Sequence, residues 1–410
     1  MKTSVRRRRR NGGFTPPAGR WVSQTGSDAN PGTYAQPYAT IQYAWSQCAA
    51  GETIWIKDDL TPTTFSGTRP AIALLVNGTA GNPITLRGWP VGTRRTINLT
   101  NYTGDATGGT GIRVVGNYAI LRDLHITQVK LPGVSAPYID AINWRGTNGQ
   151  LINCAISEIE GRGLTIGEGG FTCTNMLVQD NDIWNCYDPR SASAYGNADG
   201  IQLFGGGTGI IVERNRIWNC SDDGIDMFFQ TAAVTVRDNW IWKTGYREDG
   251  TTTGGNGSGI KTGSGTNSAA HLVTRNLIFD CRQAGINANG STIANTWSYN
   301  TIIGTGLAGQ YSMALWENAV AHQILGNCSY SVSATGWIFG NAIVRTRNSF
   351  DTPPGITESA GWFKSLSRTG VDGARGADGS LPVLDFGRPA VGSALLGAGP
   401  SGNTIGAFAS

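Results

Sequence analysis

In a chain poor in charge, five ionisable residues fall on related positions. Asp199 precedes Gly200; Asp222 and Asp223 precede Gly224, with Asp226 two residues beyond it; Lys261 stands two residues after Gly259. If these glycines hold equivalent places in successive stacked strands, Asp199 and Asp223 are stacked neighbours. Alternation along a strand then turns Asp226 and Lys261 outward, side by side. Four carboxylates this close repel one another and raise their own pKa values. A hard cation removes that cost, and calcium accepts many carboxylate oxygens in flexible geometry, whereas magnesium usually keeps more water. The pattern is read as a calcium site of Asp199, Asp222, Asp223 and Asp226. The same cation opposes protonation of Lys261, and a neutral lysine is a Brønsted base. A cation beside a base suits β-elimination on a uronic acid. The cation neutralises the sugar carboxylate and stabilises an enolate-like intermediate, the base takes the C5 proton, and the bond to O4 breaks.

The elements that must position these residues follow from internal repetition. One unit begins with Asn and carries Ile close behind: Asn153, Asn181, Asn215, Asn239, Asn276, Asn300 and Asn341. Between copies falls a Gly unit, at Gly163, Gly200, Gly224, Gly259 and Gly285. The shortest spacing in both series is 24 residues, and longer ones imply inserted loops. Two short strands per period with no helix between them exclude βαβ units and fit a solenoid of β-coils. The fold class expected is all-β, a single-stranded right-handed parallel β-helix. The apolar spacing of Ile41, Ala44, Trp45 and Cys48 predicts a short capping helix within 39–49. The Ile after each Gly forms one buried column. Cys186, Cys220 and Cys281, with Thr244 and Thr305 in register, form another, read as a ladder of small residues in which Cys186 and Cys220 are the pair to test as a disulfide.

The order Asn197-Ala-Asp199-Gly, Ser221-Asp-Asp-Gly-Ile-Asp226, then Gly257-Ser-Gly-Ile-Lys261 resembles the calcium-dependent pectate lyases of polysaccharide lyase family 9. The motif match covers about residues 195–265, and the opening Trp21 to Ile56 is also similar to the start of such lyases. The resemblance implies that the Asp residues hold calcium, that Lys261 is the catalytic base, and that the substrate is an acidic polysaccharide, polygalacturonate first. Two departures stand out: Ile follows Gly200 and Gly224 where an aromatic is expected, and a basic run replaces a leader.

Composition agrees with a turn-rich β-chain: 59 Gly, 13 Trp, and only 15% charged residues in 410. Without Arg6–Arg10, 27 basic groups face 28 acidic ones, so the body carries no nucleic-acid footprint. No run of 18 apolar residues predicts a membrane span. No apolar segment follows Arg10, so no Sec signal is read, and a secreted or virion-associated protein is expected, monomeric unless it is virion-associated. The expected organisation is a basic lead over 1–19, the β-helix over 20–349 and a loop-rich wrap over 350–410. Gln202 and Asn287, which share the outward position of Asp226 and Lys261, and Arg237 and Arg282 are candidate substrate contacts. Arg275 is another, and Tyr187, Tyr195, Tyr246 and Trp144 are candidate sugar-stacking rings. Competing readings are a polygalacturonase-type hydrolase, which wants a Gly-His-Gly that His125, His271 and His322 do not supply, and a β-helical sugar-binding tail protein.

Overall fold

The computed structural model describes residues 15–408 except 131–138, 191–194, 252–254, 305–310, 316–319, 332–336 and 339–341. Three parallel sheets of twelve, nine and ten strands wrap one core. Each sheet pairs a strand with its counterpart one coil later. This is the β-helix expected, with α1 (Ile41–Ser46) burying Ile41, Ala44 and Trp45 against the first coils.

Each coil carries three strands, one more than the repeats suggested. The extra strand, such as Val234–Arg237, ends two residues before the ladder Asn. A single left-handed residue makes that corner: Asp180, Arg214, Asp238, Arg275 and Tyr299 all have φ between 53° and 59°. Because the corner is so short, strand and Asn unit read as one segment in the sequence.

The Asn side chains behind these corners form a buried ladder. Asn239 Nδ2 donates to Asn276 Oδ1 at 3.0 Å and to the Val212 carbonyl at 2.9 Å. Its own Oδ1 accepts from the backbone N–H and the Nδ2 of Asn215. The same contacts run from Asn181 through Asn300 to Asn327 and Asn348, where Asp351 ends the series. Two expected members differ. Cys154, not Asn153, takes the ladder place, its N–H donating to Asn181 Oδ1. Asn153 is the left-handed corner residue before it, at φ 50°. Asn341 lies outside the described residues.

Ile201, Ile225, Ile260 and Ile286 stack in register in the ten-stranded sheet, fully buried. The glycines before them are required by close approach. A Cβ on Gly224 would lie 2.5 Å from Ile241 Cγ2 and 2.6 Å from the Gly259 carbonyl. Cys186, Cys220 and Thr244 stack in the nine-stranded sheet, while Thr305 lies outside the described residues. All seven cysteines are buried free thiols, so the Cys186–Cys220 pair is two stacked thiols rather than a disulfide.

Outside the nine-stranded sheet, Trp184, Trp218, Trp242 and Phe279 stack face to face, with centroids 4.8 to 5.3 Å apart. Trp362, Phe363, Val371, Phe386, Leu395 and Ile405 of the C-terminal segment join Trp242 and Phe279 in a second apolar cluster on this face. Asp182 anchors the segment electrostatically. It ion-pairs with Arg94, Arg216 and Arg375, and Arg216 Nη1 also donates to the Val371 and Gly373 carbonyls.

Two outcomes are expected. Asn239→Leu should cost about 3 kcal/mol or more, because each buried partner it orphans costs about 1–3 kcal/mol. Equilibrium denaturation measures this, and a loss under about 1 kcal/mol would mark the ladder as passive. Thiol titration should find no rapidly reactive cysteine in the folded chain and seven after unfolding; five after unfolding under non-reducing conditions would indicate a disulfide.

Candidate active site

On the outer face of the ten-stranded sheet, register fixes a column of side chains. In coil order it reads Arg113, Asn143, Thr165, Gln202, Asp226, Lys261, Asn287. Beside it, at the entry to the same sheet, Asp223 N–H donates to Asp199 Oδ1 at 3.0 Å, and Ser258 N–H donates to Asp223 Oδ1 at 2.6 Å. Stacked carboxylates thus cap the backbone N–H groups of the next coil. The two columns meet at Lys261, whose Nζ lies 3.0 Å from Asp223 Oδ2 and 3.4 Å from Asp226 Oδ2. Lys261 leaves the core side of the strand, as alternation requires, yet its side chain is buried among these groups. Its ammonium lies 5.0 Å from the Phe228 ring centroid.

One oxygen each from Asp199, Asp223 and Asp226 falls within 4.8 Å of the others. Asp222 stands apart from this trio. Its Oδ1 accepts from the Asn256 N–H at 2.6 Å, and it lines the same cleft. Oδ2 of Asp199 and Oδ2 of Asp222 accept no hydrogen bond from the described residues. The cleft encloses about 380 Å³. Gly196 and Asn197 wall one side, Gly255 and Asn256 another, and Phe228 and Phe229 close a third.

One ammonium faces four carboxylates here. Burial, and then repulsion from Asp222, Asp226 and Asp223, push Asp199 well above the usual carboxylate range. Burial and Asp223 push Asp222 the same way, and burial raises Asp226 despite Lys261. For Lys261 burial pulls downward, but Asp223, Asp226, Asp222 and Asp199 together outweigh it and hold the ammonium above the ordinary lysine range. The donor set therefore suits a hard divalent cation: oxygens only, buried, excess negative charge, and oxygens without a protein partner.

The remaining candidates divide. Gln202 belongs to the site, its Nε2 donating to Asp226 Oδ2 at 3.4 Å. Asn287 follows Lys261 in the column, with Oδ1 accepting the Asn289 N–H. Arg282 does not line the cleft; its Nη1 donates to the Gly255 carbonyl at 2.7 Å and so braces the wall loop from behind. Arg237 is on the twelve-stranded sheet, paired with Glu213, because its strand is the one the repeat reading merged into the corner. Arg275 pairs with Asp238 at a corner. Trp144 is fully buried on a strand, not on a loop. Tyr187 and Tyr246 line a separate groove with Glu248, and Tyr195 lies under Arg247.

The sequence reading missed two features. Arg162 is buried beside the cleft. Its Nε pairs with Asp140 at 2.7 Å, Nη2 with Glu168 at 2.8 Å, and Nη1 donates to Gln202 Oε1 at 2.7 Å. It directly precedes Gly163, the place Asp199 and Asp223 take before their glycines, so the signal was present. The aromatics expected after the glycines are supplied instead by Phe204, Phe228 and Phe229 near the strand ends; Phe204 and Phe229 stack at 5.0 Å. His125, His271 and His322 are absent from the cleft, each engaged elsewhere: with Ser157, the Val234 N–H and the Asn295 N–H. A larger cavity, about 580 Å³, lies over Trp184 and Trp218. Its buried carboxylate, Asp182, is already held by three arginines.

Comparison with known proteins agrees with this architecture. Pectate lyase L of Paenibacillus polymyxa is 28% identical over 404 residues, covering 93% of this chain and 84% of that protein. Pectate lyase PEL9 of Emericella nidulans is 27% identical over 419 residues, covering 92% and 93%. The crystal structure of pectate lyase Pel9A superposes with a TM-score of 0.79 at 23% identity, covering 95% of this chain and 96% of that one. A rhamnogalacturonan lyase gives 0.80 at 22%, covering 92% and 97%. A family model, the Pel9A-like right-handed β-helix region, matches residues 20–319. The chain belongs to the Pel9A-like β-helix family, the pectate lyase family that the order of its Asp and Lys motifs resembles.

Proposed function

We propose that the protein is a calcium-dependent polysaccharide lyase that cleaves polygalacturonate by β-elimination, with Lys261 as base. The observation that carries the reading is the contact of Lys261 Nζ with Asp223 and Asp226, two of three buried carboxylates sharing oxygens within 4.8 Å. Two relatives named pectate lyases, similar over nearly the whole chain, support the substrate class. Pectic polymers lie outside cells, so the place of action is extracellular.

Asp199, Asp223 and Asp226, with Asp222 at the edge, would hold the cation. Bound there, calcium would neutralise the uronate carboxylate, stabilise negative charge developing at C5, and offset the carboxylates that otherwise keep Lys261 protonated. Neutral Lys261 takes the C5 proton, the C4–C5 double bond forms, and the C4–O4 bond breaks; the departing oxygen is protonated from solvent. Gln202, held by Arg162, fixes Asp226, and the Gly255–Asn256 loop held by Arg282 closes the site over Asp222. Phe228 excludes water from the amine.

Polygalacturonate, alginate and chondroitin, each with calcium and with chelator, should be followed by the ultraviolet absorbance of the unsaturated uronide. A calcium-dependent rise on polygalacturonate is expected. New reducing ends without that absorbance would indicate hydrolysis, and neither signal would favour a binding protein.

Lys261→Ala should lower turnover by about 10²–10⁴-fold, the usual share of a general base. Because Lys261 is buried among carboxylates, the variant should also lose about 3–5 kcal/mol without calcium. Calcium should then raise its melting temperature more than that of the unaltered protein; equal shifts would argue against a shared site. Asp226→Asn should raise the calcium requirement by on the order of tenfold, about 1.4 kcal/mol of lost binding. The rate with calcium should climb toward alkaline pH, since only the deprotonated amine acts. Without calcium, Lys261 is held above its ordinary range, and raising the pH alone should not restore turnover.

A further inference from the structure

Arg69, Arg113 and Arg145 form a cationic group on the face that carries the cleft. Arg113 heads the same outward column as Lys261, five strands away. At the spacing of stacked strands that is about 24 Å. Arg145 lies in the next coil, four strands from Lys261, and Arg69 precedes the strand that pairs with Arg113. All three are half-buried.

These arginines differ from most in the chain, because no carboxylate among the described residues lies within ion-pair distance of them. Arg69 Nη1 donates to Thr107 Oγ1, Arg113 donates to the Arg69 carbonyl and to Thr110 Oγ1, and Arg145 Nε donates to Asn143 Oδ1. Nε of Arg69 and Nε of Arg113 are buried without a hydrogen-bond partner among the described residues. Acids around them are committed elsewhere: Asp140 to Arg162 and Thr165, Glu168 to Arg162 and Asn143, and Asp105 to Thr107. Burial lowers the Arg113 pKa, and its neighbours Arg145 and Arg69 lower it further. Uncompensated cations at this density are costly to hold together unless an anion joins them.

Apolar surface leads from the cleft to this group. Phe229, 41% exposed, borders the cleft and stacks on Phe204. Phe171, 37% exposed, lies under the Arg145 guanidinium at 4.7 Å. A sugar face packs on such rings while its carboxylate meets the cation.

We infer that Arg69, Arg113 and Arg145 form a distal subsite for uronate carboxylates, so that one polyuronate chain lies along the helix axis from Lys261 past Phe229 and Phe171. This rests on the uronate substrate proposed above. An extended pyranose chain advances by close to one coil spacing per residue, which places the subsite four to six residues from the scissile bond. Guanidinium groups suit this role because their planar fork matches a carboxylate in two places.

The test compares substrate lengths. Arg113→Gln, Arg145→Gln and the double variant would be assayed on trigalacturonate, which cannot span the interval, and on a decamer, which can. One lost charge-assisted contact of about 1.4 kcal/mol is tenfold in KM. The double variant should therefore lose on the order of tenfold or more of the decamer's KM advantage over the trimer, with kcat on the decamer retained. An undiminished length advantage would overturn the subsite. So would an equal loss on both lengths, which would mean that the arginines act through the Asn143–Arg162 network instead. A second arm needs no turnover: calorimetric binding of the decamer and of a neutral oligosaccharide of equal length to full-length protein without calcium. The decamer should bind in preference, and the double variant should lose that preference. If no lyase activity exists on any uronate, this arm still decides the subsite; equal binding of both oligomers to the unaltered protein overturns it.

Discussion

Everything in this molecule depends on one constraint: each coil must stack on the next in fixed register. Backbone hydrogen bonding sets the spacing, but parallel strands can slip. The Asn ladder prevents this at the corner. Each buried Oδ1 accepts from the neighbouring coil's backbone N–H and side-chain amide, so a slip would break both contacts in the coils from Asn181 to Asn348. The Gly column adds a steric lock, since Gly224 admits Ile241 and the Gly259 carbonyl at distances no Cβ allows. With register held, any outward side chain repeated over successive coils becomes a neighbour of its counterpart. The cleft is the product of that geometry.

The cost of the arrangement is electrostatic. Four carboxylates and one ammonium are buried together, which an apolar core would not tolerate. The backbone carries part of the load. Asp199, Asp223, Asp222 and Asp226 each accept a main-chain N–H, from Asp223, Ser258, Asn256 and Phe228. Lys261 offsets one charge. A hydrogen-bonded ribbon continues toward the N-terminal coils through Gln202, Arg162 and Asp140 with Glu168 to Asn143. Side chains at the cleft are thereby held in place, as preorganised chemistry requires.

Two of the three outer faces have different fates for physical reasons. The nine-stranded face carries a ladder of large aromatic rings, and the C-terminal segment covers its later coils with Trp362, Phe363 and Phe386 and clips on through Arg375 and Asp182. The ten-stranded face carries mostly polar and charged side chains in its central column, with Phe204 and Phe229 stacked near the strand ends. Gly196 and Asn197, with Gly255 and Asn256, wall a cleft beside it. Covering the apolar face leaves the polar one open.

The sequence alone determined the solenoid, because Ile, Gly and Asn recur with a period that only stacked coils satisfy. It also determined which residues share the outward position: Asp226, Lys261, Gln202 and Asn287 stand at one offset from their glycines. Counting from a shared marker is reliable wherever the coil is regular. It failed where regularity did. Asn153 was aligned one residue early because Cys154 replaces the ladder Asn, and the third strand went unseen because one left-handed residue turns its corner. Only the tertiary structure decided what surrounds each charge. Arg237, Arg275 and Lys261 are all basic residues of a repeat, yet the first meets Glu213 on the twelve-stranded sheet and the second meets Asp238 at a corner, both away from the cleft. Lys261, which alternation alone would leave solvated, is enclosed by carboxylates from the two preceding coils. Burial and charge balance depend on groups brought together from coils 24 to 38 residues apart. No local pattern carries that information.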